Sequence, residues 1–278
     1  MYTTNLKQNN VIDLTRFSSI NQDHASPETS SRYSFIPTNR VIDILSTKGW
    51  TPSKINQARV NDETKEGFQK HMIRFRNPDF INYLDFQKND TFPEIIMTNA
   101  HNRLGCFNLF SGIFKLACAN GLMVCDSTID NHSIRHIGFT DEKVLTAINA
   151  ITISIPMISN KMTEFKTIEL KQDEQRILAE SSLLLLHDAD ELDEKFRKED
   201  SITTLLQPRR IEDKEPSLWN TFNVIQEKII KGGRYMIEKD ARYTLDSRKI
   251  REIKQIDKNV KINKALWNLA EKIAELKK

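Results

Sequence analysis

Near Thr140 the spacing of apolar residues in this chain changes from alternating to helical, and that switch limits what each half can fold into. Upstream, "WTPSKINQARV" and "EGFQKHMIRFR" alternate as strands do, "PEIIMTN" reads as a third strand and "HSIRHIGF" as another. Downstream of Thr140, a helix N-cap followed by Asp141 and Glu142, the pattern differs. There "DEQRILAESSLLLLH", "SLWNTFNVIQEKIIKGG" and "NKALWNLAEKIAELKK" place apolar residues three or four apart, as amphipathic helices do. Breaks are expected near Pro156, Pro208 and Pro216, because proline removes a helical donor and clashes with the preceding turn. The predicted fold class is α+β: an antiparallel-rich β-sheet core in the first half packed by helices, then a mainly α-helical second half.

Local signals refine this outline. In "FIPTNRVIDILSTKGW", Thr38 or Asn39 caps a short helix with Val41, Ile42 and Leu45 on its apolar side, and Gly49 ends it. After the turn formers "HNRLG", the spacing of Phe107, Phe110, Phe114 and Ala117 predicts a helix. Asn120-Gly121 closes that helix and opens the strand "LMVCDS". Residues 1–31 are polar and read as a flexible arm, 32–188 as the α+β core, 189–216 as a charged connection and 217–278 as a C-terminal helical region. Trp219 and Trp267 fall on amphipathic helices as packing anchors.

Charge is unevenly placed. From Lys228 to Lys278 there are 15 Lys plus Arg against 7 Asp plus Glu, a net +8 in a chain whose total is +3, so the remainder carries −5. A basic tail on a mildly acidic body favours a polyanionic partner. Three cysteines, Cys106, Cys118 and Cys125, contain no Cys-x-x-Cys pair and suit a reducing cytoplasm. No apolar run is long enough to span a bilayer, and "MYTTNLKQNNVIDL" lacks a secretory pattern, so a cytoplasmic, membrane-free protein is expected.

No phosphate-cradling "GxxxxGK[ST]" or "GxGxxG" is present, and no cofactor is expected. His132 and His136 would stand about 13 Å apart on an ideal strand, too far to share an ion, so no metal is expected either. The cysteines meet no recognisable base in the sequence, and no catalytic residue is assigned. Phosphate recognition has a firmer basis: Lys70, Met72, Arg74 and Arg76 fall on one face of a strand, with Arg135 and His136 on another segment. Guanidinium groups fork onto phosphate oxygens, and nearby phenylalanines offer stacking surfaces if exposed.

Several ordered segments together resemble a known family: "FIPTNRVIDILSTKGW", "GFQKHMIRFR", "PEIIMTNAHN", "FSGIFKLACANGLMV", "SIRH", "LWNTFNVIQE" and "NVKINKALWNLAEKI". They are similar to the phage/plasmid-like family called domain of unknown function 932, from about Tyr33 onward. The resemblance implies a mobile-element origin and a bacterial host, and transfers no catalytic residues. Its motifs contain His71, Arg74, Arg76, Asn99, His101, Asn120, Gly121, Arg135 and His136, with Gly121 conformational. The site expected from these readings is nucleic-acid-binding and consists of Lys70, His71, Arg74, Arg76, Asn99, His101, Arg135 and His136. The functional expectation is a non-catalytic nucleic-acid-binding accessory protein for DNA replication, recombination or a related mobile-element role. Two other readings stand beside it: an anti-defence protein that binds a host or phage protein or sequesters a ligand, and a hydrolase or nuclease with a histidine base.

Overall fold

The computed structural model describes residues 12–83, 91–115, 120–123, 132–134, 136, 138–240, 242 and 247–278. Its elements, in chain order, begin with α1 (Thr38–Thr47), β1 (Thr51–Gln57), β2 (His71–Arg76), α2 (Pro78–Tyr83), β3 (Thr91–Asn99), β4 (Phe107–Lys115), β5 (Asn120–Met123) and β6 (His132–Ile134). Helices then dominate: α3 (Asp141–Thr167), α4 (Gln172–Leu183), α5 (Ala189–Lys195), α6 (Lys198–Leu206) and α7 (Leu218–Lys231). A short ribbon, β7 (Gly233–Ile237) with β8 (Ser247–Ile250), precedes α8 (Ile256–Leu276). The class is α+β, as the period switch predicts. No helix among the described residues is long and apolar enough to cross a membrane.

One sheet has the order β1-β2-β3-β4-β5, with β6 also paired to β4; β7 and β8 form a separate two-stranded sheet. The pairs β1–β2, β2–β3 and β4–β6 are antiparallel. By contacts the chain divides into two compact units: 1–88 with 92–112 and 131–153, and 89–91 with 113–130 and 154–278.

In the first unit, Trp50, Ile73, Phe75, Ile95, Met97, Phe107 and Leu109 are buried side chains. β2 is covered on both faces, since His71, Ile73 and Phe75 are fully buried on one and Met72 and Arg74 nearly so on the other. The strand β4 corrects the helix expected over Phe107–Ala117 as far as Lys115. Its Phe107, Leu109, Phe110 and Ile113 are all buried, so apolar residues on two covered faces imitate a three-to-four spacing. α1 begins at Thr38, but Thr38 does not cap it: Pro37 is the N-cap residue, without a side-chain bond, and the Thr38 hydroxyl is engaged elsewhere.

Residues 12–37 include the described part of the segment 1–31 whose composition reads as a flexible arm. They make a strap tied to the sheet-bearing unit: Ser26 N–H donates to His101 O at 2.9 Å and Ser34 N–H to His136 O at 2.8 Å. The Tyr33 hydroxyl donates to Ala100 O at 3.0 Å, and Ile20 and Ile36 are wholly buried. A few apolar anchors with satisfied backbone groups are enough to order a polar segment.

In the second unit, α7 is buried along nearly its whole length, from Leu218 to Ile230. Ser217 caps it by accepting from Asn220 N–H at 3.2 Å, and Asn223 and Gln226 satisfy their amides inside, Gln226 Nε2 donating to Asn263 Oδ1 at 2.6 Å. Trp267 of α8 lies between Phe165 and Phe222, at ring separations of 5.2 and 5.9 Å, and Trp219 is buried beside Phe222. Both tryptophans are the anchors that the sequence suggests. α3 runs unbroken through Pro156, contrary to the expected break, and the charged connection contains α5 and α6.

Candidate functional site

The cationic face expected on β2 is closed. Arg74 is 4% exposed, and its Nη1 donates to Glu94 Oε2 at 2.6 Å. Arg76 Nε donates to the other carboxylate oxygen of Glu94 at 2.8 Å, while its guanidinium lies 5.4 Å above the Phe92 ring. Glu94 is itself fully buried. A carboxylate between two guanidiniums is the arrangement in which buried charges are tolerated, because each ion's desolvation is offset by a close partner. Arg74 is therefore held inside the protein, contrary to the expectation that it projects from the face, while Arg76 stays partly exposed and is engaged by the same carboxylate. Lys70, half-buried, directs its amine over Gly105: a Cβ there would stand 3.1 Å from Nζ.

His71, Asn99 and His101 do converge, but inside the protein. Asn99 Nδ2 donates to the Thr38 hydroxyl at 3.1 Å and to Ile36 O at 3.1 Å. The Thr38 hydroxyl donates to His71 Nε2 at 2.8 Å, and His71 Nδ1 donates to Gln69 O at 3.2 Å, which fixes one neutral tautomer. His101 Nε2 donates to Ser19 O of the strap at 2.9 Å, leaving its buried Nδ1 without a partner. The His71 and His101 rings are 5.3 Å apart. Burial, reinforced by the neighbouring His101, lowers the His71 pKa to about 3, and burial lowers that of His101 to about 4. This cluster holds the strap and stays neutral near pH 7, so it offers no cation to a phosphate.

His136 is also buried, its Nδ1 donating to Ser34 O at 3.2 Å and its ring stacked on Tyr33 at 4.5 Å. Arg135, Cys118 and Cys125 lie outside the described residues, and Asn120 and Gly121 are placed only as part of β5. Cys106 is an exposed free thiol. Among the described residues no group of three or more His, Cys, Asp or Glu is arranged for a metal ion.

Solvent-facing cations gather instead on the β7–β8 ribbon. The register sets Arg234 opposite Lys249, both exposed, and Met236 opposite Arg248. Like charges directly across a ladder cost stability, on the order of a few tenths of a kcal/mol. Arg234 is steadied by donating from Nη1 to Ser247 O at 2.9 Å. At one end of the ribbon a concavity of about 510 Å³ is lined by Lys231, Gly232, Gly233, Lys249, Ile250, Arg251, Glu252 and Lys254. Four cations and one carboxylate thus line it, and Glu252 pairs with Lys254 at 3.8 Å.

The floor depends on glycine. Gly232 has φ +75°, and a Cβ on it would stand 2.3 Å from Ile250 O, so only a bare Cα lets the chain leaving α7 pass this close to β8. Ile253 N–H then donates to Ile230 O at 2.9 Å, tying the far side of the concavity to the end of α7. Beneath it, Lys228 is buried and donates from Nζ to Thr204 O and Gln207 O at 2.6 and 2.5 Å, closing the C-terminal end of α6. Burial, aided by Arg209, brings its pKa down to about 8. Charge counting in the sequence locates this basic region, but not the residues: the Gly232-Gly233 pair after an amphipathic helix was the available signal for a tight turn into a ribbon.

A family model described as Domain of unknown function (DUF932) matches residues 27–267 of the chain. Two proteins of Escherichia coli strain K12, UPF0380 protein YafZ and UPF0380 protein YfjQ, are each 30% identical to it over 246 residues, covering 87% of this chain and 82% of the relative. No solved structure matches significantly.

Proposed function

The chain belongs to the DUF932 family, and on that premise we propose that it is a non-catalytic nucleic-acid-binding accessory protein of a mobile element, contacting phosphates through the β7–β8 ribbon. The observation that carries this reading is the concavity lined by Lys231, Lys249, Arg251 and Lys254 with a single carboxylate, beside the exposed cross-strand pair Arg234 and Lys249. A surface that keeps like charges adjacent is relieved when a polyanion neutralises them, and phosphates released from their counterions supply the driving force. The expected sheet-face site on β2 is not part of the proposal, because Glu94 already engages both of its arginines.

Fluorescence anisotropy with single- and double-stranded oligonucleotides at several salt concentrations tests the reading. If about four phosphates are contacted, log K against log salt should fall with a slope of about −3 for single strands and about −4 for duplex. Replacing Lys249, Arg251 and Lys254 together by Gln should flatten that slope by about two to three. Absence of binding at low salt, or binding that the triple replacement leaves unchanged, removes the proposal.

A further inference from the structure

We propose that the first unit carries a second, separate site, which binds a nucleoside monophosphate, either free or as the phosphorylated end of a strand. The site is a cavity of about 420 Å³ whose lining includes Arg32, Tyr33, Arg103, Gly105, Cys106 and His136. Its size lies within the range of small-molecule pockets, about 300–1,000 Å³.

Two independent features define the ligand. The first is unspent positive charge. Arg32 and Arg103 are both exposed, and among the described residues neither side chain has an ion pair or hydrogen bond. Two guanidinium forks at one cavity match the oxygens of a phosphate monoester. Arg103 also has φ +58°, the left-handed region, which costs a residue bearing a Cβ about 1–2 kcal/mol. The loop keeps an arginine where glycine would be unstrained.

The second feature is a flat wall. Tyr33 and His136 stack with their planes only 10° apart, and both line the cavity. Each ring covers one face of the other and His136 is buried, so a nucleobase would extend the stack on the outer face of half-buried Tyr33, irrespective of its sequence. His136 Nδ1 is committed to Ser34 O, so Nε2 is a buried lone-pair nitrogen without a partner. A phosphate and a planar ring on one ligand satisfy the forks and the wall together, whereas an inorganic anion uses only the forks.

Titration calorimetry of the full chain with adenosine 5′-monophosphate, and with adenosine and inorganic phosphate as its separate halves, tests the assignment. Binding of the nucleotide about tenfold or more tighter than either half is expected. Arg103→Gly preserves the turn, because glycine accepts the positive φ, and should weaken nucleotide binding by about tenfold while the thermal midpoint is held or raised. Arg32→Gln should do the same without touching that turn. A 5′-phosphorylated dinucleotide that binds more tightly than the mononucleotide identifies a strand end as the ligand; the reverse order identifies the free nucleotide. No binding at millimolar nucleotide, equal binding of either half, or indifference to Arg103→Gly overturns the site. Repeating the titrations with Lys249, Arg251 and Lys254 all replaced by Gln removes phosphate binding at the ribbon, so nucleotide affinity that survives there and still falls with Arg103→Gly belongs to this cavity, and the two results are read independently.

Discussion

Acidification from pH 7 to pH 5 should remove a large part of the protein's stability, and the size of the loss follows from the histidine cluster. His71 and His101 are fully buried, with pKa values lowered to about 3 and about 4, whereas both titrate near 6.5 once unfolded. The unfolded chain therefore binds more protons throughout this interval, and stability falls as pH falls through it. At pH 5 each imidazole must stay neutral about 1.5 pH units below its unfolded pKa, at about 2 kcal/mol apiece, or about 4 kcal/mol together. Loss from His101 levels off near pH 4 and from His71 near pH 3. Small domains hold about 5–15 kcal/mol in all, so the effect is readily seen in urea unfolding at the two pH values. The variant His101→Gln keeps a donor for Ser19 O and should lose about 2 kcal/mol less on acidification. An unfolding free energy equal at pH 7 and pH 5, or His71 and His101 resonances that titrate near 6.5 in the folded protein, would refute the reasoning.

Two further substitutions probe the buried charges and the ribbon floor. Glu94→Gln leaves Arg74 without its carboxylate and should cost about 3–5 kcal/mol in chemical unfolding, while Arg74→Met combined with Glu94→Met should cost distinctly less. Gly232→Ala changes no charge, yet its Cβ meets Ile250 O, so hydrogen exchange in β8 should accelerate and oligonucleotide binding weaken. Retained ribbon protection in Gly232→Ala, or equal stability of Glu94→Gln and the double variant, counts against the respective account.

Legibility differed by interaction type. The helical second half could be read from spacing, because each amphipathic helix buries one stripe: Ile262, Leu266 and Ala270 of α8 are buried while Lys258, Lys261 and Lys272 remain outside. β4 could not, since burial on both faces erases the alternation that marks a strand. His71, Asn99 and His101 stand among the eight residues expected to contact nucleic acid, but their meeting inside the protein is not legible: nothing local reveals that the Thr38 hydroxyl, 33 residues from His71 in the chain, fixes the tautomer. Likewise the strand position of Arg74 gives its face, whereas the neutralising carboxylate comes from the neighbouring strand and is seen only once β2 and β3 are paired. Cations of the C-terminal region were visible as a sum, and their focus became clear from a glycine turn.

The strap has one more implication, for how occupancy and order influence each other. Arg32 and Tyr33 arrive on that segment, while Arg103, Gly105 and Cys106 come from the loop after β3 and His136 from beyond β6, so the cavity is a seam between the strap and two later lengths of chain. A molecule gripping both edges acts as a stitch. Protease attack on residues 12–37 should slow when the seam is filled, and conditions that unseat the segment should eject whatever it holds.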